Sequence, residues 1–491
     1  MKNKEVTLQK QIVATVIFIL VIFAGLFIPV LVGAPQYKQS VESVMFFAAI
    51  ISSIYILVFT NKKWDDIFAS AIKSIQEVVP GMLILLVIGP LIAAFIMSGL
   101  IPMLIYYGIK LINPTLIYLM ALLLPIIFSI FTGMSWGSGA TIGIVMMGVG
   151  TALGANPAIV AGAVIGGAYF GDKLSPISAA TNIAAMACKV DLYDHVGSMV
   201  WTTGPATLIG IIVYTVCGFV FPATTTDLNT PEIVTLLGDM SGIFNFNILL
   251  LIPLAIVLFG SLFKKPAIPV LIVATAVAFL NAILFQGFSI AQVLKGFNSG
   301  FKLSMVDWYT YSLPVEGSTY ILGYFERGGF WNFGGLLAIL VTILFAVGVL
   351  KTINAIPATA EAIFKNCKSR SSIIVSSIIT GFALIATTAN GGACSFVSAE
   401  IWGEKYDEYG IDRRVLSRTS EDTGTMLEVL MPWTPAGIFF ATTLGVSTAD
   451  YAIWAVVNWT TPFIAIFLAV TGIGTYKNLT AKKANEDLKI S

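Results

Sequence analysis

The sequence predicts an all-α polytopic membrane protein, and three observations lead to that fold class. Only 11% of the 491 residues are charged, against roughly 25% in soluble domains, whereas 57% are hydrophobic and the mean hydropathy is +0.90. Apolar runs of about 20 residues, long enough to cross the hydrocarbon core of a bilayer, recur along the chain. Alternating patterns of about ten residues, which are typical of membrane β-barrels, do not occur.

The same composition excludes several classes of function. A chain this apolar has no polar shell for a large water-soluble enzyme, and it is too hydrophobic to be a disordered scaffold. The formal net charge is +1, so there is no extended basic surface for nucleic acid. One histidine and four widely spaced cysteines argue against a multi-histidine metal site and against a disulfide framework.

The apolar runs give the order of the predicted spans, about 11 to 13 crossings or half-crossings. Residues 11–33 follow three lysines, but no clear small-x-small cleavage site follows them, which favours a retained span over a signal peptide. The other runs are 43–60, 81–100, 114–131, 137–154, 157–170, 196–221, 247–263, 267–285, 333–350, 371–388, 425–446 and 451–474. The amphipathic residues 61–79 are expected to form a helix at the membrane surface. Residues 289–331, rich in charged and aromatic side chains, form either an aromatic belt or a gate over a pocket.

Charge and polarity divide the chain into five predicted regions. Lysine and arginine cluster in a few connections and in the carboxyl-terminal tail, whereas the first exit loop holds only Lys38. The positive-inside rule then places both termini in the cytoplasm of a protein that we expect in the cell's inner (plasma) membrane. The regions are an N-terminal span (1–40), a first membrane repeat (41–222), a connector (223–246), a second membrane repeat (247–475) and a cytoplasmic tail (476–491).

In the first half, charges and hydroxyls interrupt apolar sequence at residues 171–182, Gly-Asp-Lys-Leu-Ser-Pro-Ile-Ser-Ala-Ala-Thr-Asn. An acid and a base at membrane depth are costly unless they are satisfied, so they typically mark a transport route. Pro176 lacks an N–H and disfavours helix before it, which predicts an open backbone from Gly171 to Pro176. Such a break offers oxygen ligands for a hard cation such as Na⁺. A plain surface loop with an internal Asp172–Lys173 pair is the alternative.

The second half holds a matching stretch from Arg418 to Gly437, where carboxylates and hydroxyls precede a segment broken by proline. Glu421 and Asp422 are candidates for ion coupling, or else caps of a helix that faces water. Glu428 has only apolar neighbours, so we expect it in the protein interior. Interrupted segments at corresponding positions of two halves indicate the binding site of a transporter.

Candidate roles follow from side-chain chemistry. The substrate-binding set joins a base, two amides, an acid and a Trp-Thr pair: Lys173, Asn182, Asn390, Glu428, Trp433 and Thr434. The ion-coupling set joins acids and hydroxyls: Asp172, Ser175, Ser178, Thr181, Glu421, Asp422 and Thr425. Within these, Asp172, Ser175, Thr181 and Asp422 are the expected Na⁺ ligands. The expected helix breaks are Gly171, Pro176, Gly424 and Pro432.

At these motifs the chain resembles the NhaC family of Na⁺/H⁺ antiporters. The resemblance rests on Gly-Asp-Lys-Leu-Ser-Pro (171–176), Thr-Asn (181–182), Gly-x-Ser-Trp-Gly (133–137), and Leu-Ser-Arg-Thr-x-Glu-Asp-x-Gly-Thr (416–425) followed by Pro-Trp (432–433). It extends from about residue 80 to residue 475. The family's fold implies two inverted repeats with broken helices or re-entrant segments that meet at the membrane midplane, with the site at their interface. Its members include Na⁺/H⁺ antiporters and exchangers of organic acids such as malate and lactate.

Departures from the family pattern bear on the substrate. Ala179 stands where the family typically has an acid, and Glu428-Val429 replaces Ser-Pro. The family's Thr-Gly-Asp-Gln patch, which contains another acid, is here Ala-Asn-Gly-Gly (389–392). The loss of expected titratable groups weakens simple Na⁺/H⁺ exchange and favours an organic substrate with charges of its own. The leading hypothesis is a Na⁺-coupled secondary transporter, working by antiport, for a small charged or zwitterionic metabolite such as an organic acid or amino acid.

Two alternatives stay open: a Na⁺/H⁺ antiporter for sodium and pH homeostasis that uses Asp172, Glu421 and Asp422, and a non-transporting membrane scaffold or receptor. The chain has no Gly-x-x-x-x-Gly-Lys-Ser/Thr phosphate loop, so the energy is expected from an ion gradient rather than from an enzymatic step. Na⁺ is the expected coupling ion and H⁺ a second candidate. The expected partners are the transported ion or small molecule and the lipid bilayer, without nucleic acid. Small-residue faces around residues 162–167 fit packing within one subunit or a homodimer.

Overall fold

The computed structural model describes residues 5–26, 28, 41–225, 229–309, 325–364 and 367–476, and all the secondary-structure elements in these ranges are helices. The α-helices are α1 (Leu8–Leu26), α2 (Val41–Phe59), α3 (Trp64–Met97), α4 (Leu100–Leu111), α5 (Ile117–Thr132), α6 (Ser135–Ser138), α7 (Ile144–Ala152), α8 (Pro157–Leu174), α9 (Ala179–Cys188), α10 (Leu192–Val220), α11 (Pro231–Ile243), α12 (Ile252–Leu262), α13 (Ala267–Gln286), α14 (Ile290–Ser299), α15 (Phe330–Lys351), α16 (Ala355–Phe364), α17 (Arg370–Thr388), α18 (Gly391–Glu408), α19 (Arg413–Glu428), α20 (Pro435–Leu444), α21 (Thr448–Tyr451) and α22 (Val456–Thr471). A π-helix (Gly139–Gly143) joins α6 to α7, and 3-10 helices cover Pro114–Leu116, Ile248–Leu251, Leu303–Met305 and Ala452–Trp454. The predicted first exit loop, residues 310–324 of the aromatic stretch and the basic tail from residue 477 lie outside the described residues.

Seven of the described helices are long and apolar enough to cross a membrane: α1, α2, α3, α5 with its preceding 3-10 turn, α10, α13 and α15. Two further segments are bent, by 89° between residues 233–243 and 248–262 and by 55° between residues 448–454 and 456–471, which gives up to nine spans if each is one crossing. Four apolar helices are shorter: α4, α9, residues 370–386 of α17, and α20. This architecture confirms the predicted all-α polytopic membrane fold.

One predicted element is wrong. Residues 61–79 were expected to form a separate helix at the membrane surface, but residues from Trp64 onward begin the 34-residue helix α3. Pro80 and Pro90 lie inside that helix without ending it. At 1.5 Å per residue, α3 is about 51 Å long, well over the roughly 30 Å of hydrocarbon. Its charged first turns therefore extend a membrane helix beyond the bilayer core, which explains the amphipathic pattern.

The helices pack in two groups. In the outer group α3 packs against α13 and α15, and α1 packs against α2 and α16. In the inner group α5 packs along α8, α10 along α22, and both α17 and α18 along α19. Glycine allows the closest of these approaches, because a Cβ on Gly167 of α8 would lie 2.2 Å from the Leu122 carbonyl oxygen of α5. Every residue of the predicted site lies on these inner helices, on α9, which packs against α18 and α19, or in the breaks next to them, and both halves of the chain contribute.

Candidate functional site

The first break in the inner group lies between α8 and α9, at residues 175–178. The backbone was expected to open from Gly171, but Gly171, Asp172 and Lys173 are still helical. Gly171 serves close packing instead, since a Cβ at this position would lie 2.4 Å from the Ile130 backbone nitrogen of α5. Gly171 is therefore a close-contact residue within a helix, whereas Pro176 lies inside the break as predicted.

Hydroxyl and amide groups around this break bind carbonyl oxygens in the break and in the helices beside it. The Ser175 hydroxyl donates to the Ile130 carbonyl at 2.9 Å, and the Thr181 hydroxyl donates to the Lys173 carbonyl at 3.0 Å. The Asn182 amide donates to the Ser178 carbonyl at 2.6 Å, although Asn182 itself is exposed. Ile130 and Lys173 lie in the last turns of α5 and α8, where carbonyls lack helical partners, whereas Ser178 precedes α9. The Na⁺-ligand and substrate roles proposed for these residues stay predictions.

Asp172 does not pair with Lys173, which corrects the pairing considered from sequence. Its carboxylate accepts hydrogen bonds from the Ser135 hydroxyl at 2.6 Å, the Ser135 backbone N–H at 3.2 Å and the Ser178 hydroxyl at 2.5 Å. Ser135 is the first residue of α6, directly after a second interruption at Gly133 and Met134. A partly accessible carboxylate is thus held between two breaks of the first half.

The second half has its break after α19, at residues 429–434, and this break contains Pro432. Gly424, an expected break, lies inside the continuous helix α19. A Cβ on Gly424 would approach the Cys394 sulfur of α18 to 3.2 Å, so this glycine permits close packing of two helices rather than a bend. Thr434 caps α20: its hydroxyl accepts from the Gly437 N–H at 3.0 Å and donates to the Glu428 carbonyl at 2.6 Å.

Glu428 lies at the start of α18, where its carboxylate faces Gly391, the first residue of that helix. A Cβ on Gly391 would lie 3.1 Å from a Glu428 carboxylate oxygen, so only glycine leaves this approach uncrowded. Asn390 caps the same helix by accepting from the Ala393 N–H at 2.9 Å. Trp433 holds the neighbouring break by donating its indole N–H to the Ala386 carbonyl at 2.7 Å. Like Asp172, Glu428 is partly accessible.

The interruptions before α6 and before α18 have the same backbone geometry. Gly133 and Ala389 both end a helix in the left-handed region, with φ/ψ of 63°/26° and 52°/27°. The residues that follow are extended, with −139°/110° at Met134 and −144°/109° at Asn390. Each half thus ends a helix, opens for two residues and begins a new helix whose first residue lies beside a carboxylate, Asp172 at Ser135 and Glu428 at Gly391. Helix N-termini stabilise negative charge through their N–H groups and the helix dipole.

A buried ion pair joins the two halves beside these carboxylates. Lys173 of α8 bonds to Asp422 of α19, and neither side chain is exposed. The Thr202 hydroxyl of α10 donates to the same carboxylate at 2.9 Å. The four expected Na⁺ ligands therefore divide between two places, since Asp172 binds serines while Asp422 binds Lys173 and Thr202. Within the described residues, no group of three or more His, Cys, Asp or Glu side chains could hold a metal ion.

The remaining acid, Glu421, is fully buried next to His195 of α10, with 3.5 Å between an oxygen and the ring Nε2. Thr425 is buried on α19 between the two predicted acids and the break. Sequence reasoning considered Ser135, in the Gly-x-Ser-Trp-Gly motif, only as an added ligand where the helix opens, and it left Thr202 and His195 out of the site. A signal for His195 was present, because it is the chain's single histidine. Thr202, inside an apolar run, carries no such signal.

A cavity of about 580 Å³ lies beside the start of α18. Asn390, Gly392 and Ala393 line one part of it, and aliphatic and aromatic side chains from α9, α15, α16, α17 and α18 line most of the rest. The Lys351–Glu77 ion pair, at 2.6 Å, also borders it. The cavity therefore combines apolar walls, the polar break residues and a charged pair.

Comparison with known proteins agrees with this architecture. The family model described as "Na+/H+ antiporter family" matches residues 167–473. An uncharacterized Na⁺/H⁺ antiporter of Haemophilus influenzae is 40% identical over 84% of this chain and 86% of its own length. The malate-2H⁺/Na⁺-lactate antiporter of Bacillus subtilis is 31% identical over 96% of this chain and 99% of its own. The arginine/ornithine antiporter ArcD of Halobacterium salinarum is 28% identical over 84% and 83%, respectively.

Proposed function

Because this chain belongs to the Na⁺/H⁺ antiporter family, we propose that it exchanges Na⁺ for a small organic metabolite that carries an ammonium group, such as an amino acid. The family assignment confirms the resemblance inferred from the motifs and the prediction of a multi-pass membrane transporter rather than an enzyme. The identity of the solute and the use of Na⁺ by this chain are the proposal.

The observation that carries the proposal is the pair of carboxylates Asp172 and Glu428. They come from different halves, both are partly accessible, and they are close enough to repel each other. Lys173, the basic residue next to Asp172 in sequence, is neutralised by Asp422 and does not balance them. A site with two acids favours cationic ligands, and Na⁺ together with an ammonium group meets that requirement.

The nearby cavity supports an organic solute. Its walls are mostly apolar, and a solute with a short aliphatic part gains from leaving water there. Asn390 and the glycines at the start of α18 offer polar contacts at one end, close to Glu428. Two relatives, by their names, exchange organic solutes: malate and lactate in one, arginine and ornithine in the other.

The wider organisation forms part of the same proposal. We take residues 41–222 and 247–475 as two repeats joined by the connector 223–246, with both termini in the cytoplasm of the plasma membrane. The matched interruptions at Gly133–Met134 and Ala389–Asn390 support the repeats. Inverted repeats would bring the two carboxylates together near the midplane of the bilayer, where alternating access requires the site to lie.

Na⁺/H⁺ antiport without a solute is the second candidate. Asp172 and Glu428 are two titratable groups in one accessible place, and that arrangement is sufficient for Na⁺ and H⁺ to compete. The names of several relatives describe this activity.

Transport by proteoliposomes separates the two candidates. A Na⁺ gradient is imposed, and the lumen pH and the uptake of labelled arginine, ornithine, malate and lactate are measured together. We expect uptake of an amino acid that depends on the Na⁺ gradient. Proton movement in the absence of any solute, with no amino acid uptake, would refute the solute and favour Na⁺/H⁺ exchange.

A substitution tests the role of Glu428 directly. Glu428→Gln keeps the size of the side chain but removes its charge, so amino acid affinity should fall at least tenfold, or about 1.4 kcal/mol. Glu400→Gln, at an exposed position of α18, is the matched control and should bind like the wild type. Isothermal titration with Na⁺ and with the amino acid measures both ligands. An unchanged affinity in a folded Glu428→Gln protein would remove Glu428 from the site.

A further inference from the structure

The ion pair at the edge of the cavity is a feature that the proposed site leaves unused. Lys351, in the last turn of α15, bonds to Glu77 of α3 at 2.6 Å. Among the described residues that line the cavity, these two are the ones that carry a charge. Their side chains are 31% and 36% exposed, respectively, whereas Lys173 and Asp422 are completely buried. The pair at the cavity is therefore within reach of a solute.

Lys351 keeps hydrogen-bonding capacity beyond its contact with Glu77. An ammonium group has three donors, and the described contacts engage one of them. The flexible four-carbon stem of lysine allows the group to turn toward a new acceptor. Asn354, whose backbone N–H donates to the Lys351 carbonyl at 3.1 Å, and the start of α16 at Ala355 also line the cavity. Because a helix N-terminus attracts negative charge, the start of α16 adds to the effect of the lysine.

The cavity lies between the two groups of helices. Lys351 and Glu77 belong to the outer group, whereas Asn390 lies at the start of α18 in the inner group. Glu428 adjoins that part of the cavity, since a Cβ on Gly391 would lie 3.1 Å from its carboxylate. Glu428 has no basic partner among the described residues. One part of the cavity thus adjoins an unpaired acid, and another part is bordered by a lysine.

This arrangement of charges matches a zwitterion. The proposed solute directs its ammonium group toward Glu428, so a carboxylate on the same solute would enter a mostly apolar cavity. An unpaired charge is costly in such surroundings. Lys351 is the basic side chain that lines the cavity in the described part of the chain, and its ammonium group offers the carboxylate a charge-assisted hydrogen bond. A simple amine has no carboxylate and gains nothing from the lysine.

We propose that Lys351 binds the carboxylate of the transported solute and thereby selects amino acids over amines. This role rests on the proposed function, in which the ammonium group of the solute lies at Glu428. Without solute, Glu77 holds the lysine at the edge of the cavity. With solute bound, Lys351 donates to Glu77 and to the solute carboxylate through separate N–H groups. The solute then contacts both groups of helices at once.

Pairs of ligands that differ by one carboxylate test this role. Isothermal titration of the full-length protein in Na⁺-free buffer measures the binding of arginine and agmatine, and of leucine and isoamylamine. We expect the wild type to prefer the amino acid of each pair that it binds. Lys351→Met should reduce this preference about tenfold, the value of a hydrogen bond to a charged group, and should leave the affinity for the amine unchanged. A preference that survives Lys351→Met would overturn the proposal.

Three further variants separate recognition from packing. Lys351→Arg keeps the charge and should keep the preference for amino acids. Lys73→Met, the matched control, removes an exposed lysine of α3 that does not line the cavity, so the preference should stay as in the wild type. The double variant Glu77→Gln/Lys351→Met leaves no unpaired acid and should lose the preference even where Lys351→Met alone does not fold. If a folded variant loses affinity for amine and amino acid by the same factor, Lys351 serves packing and the proposal is overturned.

Lactate, which has a carboxylate and no ammonium group, separates this role from the proposed function. A protein that exchanges Na⁺ for amines and amino acids without preference retains the proposed function and refutes the role of Lys351. A protein that binds lactate alone, and loses it in Lys351→Met, retains the carboxylate site and refutes the proposed solute. A protein that binds none of these ligands refutes both.

Discussion

The Lys173–Asp422 pair allows a sharp test of how the two halves are held together. Both side chains are fully buried, on α8 and α19, and the Thr202 hydroxyl supplies a further hydrogen bond to the acid at 2.9 Å. Lys173→Met keeps much of the aliphatic stem and removes the charge. Asp422 is then left buried with a single neutral donor, in a place from which water is excluded.

The expected loss follows from the cost of an uncompensated buried charge. Removing one partner of a buried pair typically destabilises a protein by about 3–5 kcal/mol, far above the effect of breaking a surface pair. The upper part of that range applies where no water replaces the lost partner. Because both side chains are completely buried, we expect a loss in that upper part. We expect a loss of about 4 kcal/mol for Lys173→Met.

The assay is equilibrium unfolding in mixed micelles, followed by helical circular dichroism. The matched control is the double variant Lys173→Met/Asp422→Leu, in which no charge remains. Because replacing a buried pair by apolar residues is often neutral, the double variant should recover most of the stability lost by Lys173→Met. A coupling energy of about 3 kcal/mol between the two positions is the expected result.

Two outcomes would refute this reasoning. If Lys173→Met lowers the free energy of unfolding by less than about 1 kcal/mol, the effect equals that of a hydrated ion pair. Such a result would place Lys173 and Asp422 in water. A double variant whose loss equals the sum of the single losses would show that the two side chains do not interact. A stable double variant without transport would assign the pair to function rather than to folding.

Further predictions concern packing and the amino-terminal end of α19. Gly171→Ala inserts a methyl group against the backbone of α5 and should destabilise the protein by about 1–3 kcal/mol. In the control Gly197→Ala on α10, the added methyl group meets no atom within 4 Å, so the stability should be unchanged or higher by up to about 1 kcal/mol. Thermal unfolding of both variants measures these effects, and equal effects would contradict the packing account. Partial burial raises the pKa of Asp412, but hydrogen bonds from Arg414 outweigh it and hold that pKa below its usual range. The stabilisation from Asp412 is then present above about pH 4 and is lost as the pH falls. The difference in stability between the wild type and Asp412→Asn should therefore shrink toward about pH 3. A difference that does not depend on pH would contradict the pairing of Asp412 with Arg414.

Local chemistry predicted some features of the site well. Pro176 and Pro432 both lie in breaks, as expected from proline's missing donor and its restriction of the residue before it, although Pro80 and Pro90 lie inside α3 without ending it. The two glycines were misjudged for a physical reason. A glycine inside an apolar helix permits either a bend or a close neighbour, and the sequence around Gly171 and Gly424 does not distinguish the two.

Partners distant in sequence were beyond such reasoning. Lys173 and Asp172 are adjacent, yet successive residues of a helix point in directions about 100° apart, so they meet different neighbours. Lys173 reaches Asp422, 249 residues away, and Asp172 reaches Ser135 across the first break. The alternative considered from sequence, an internal pair, ignored this geometry.

The sequence by itself determined that this protein is helical, lies in a membrane, belongs among ion-coupled transporters and interrupts its helices at two polar stretches. The place among ion-coupled transporters came from the motifs that resemble a known family. The other properties depend on composition, run length and local backbone preference, which are read from neighbouring residues. Only the tertiary structure decided which acids share a place and which are neutralised. Glu428 meets the start of α18, Asp422 meets Lys173, and Glu421 meets His195, although all three acids lie within one 16-residue helix. The reason is that Glu421 and Asp422 leave α19 about 100° apart, whereas Glu428 lies about two turns further along nearly the same face as Glu421, so the element packed at each place sets the charge partner.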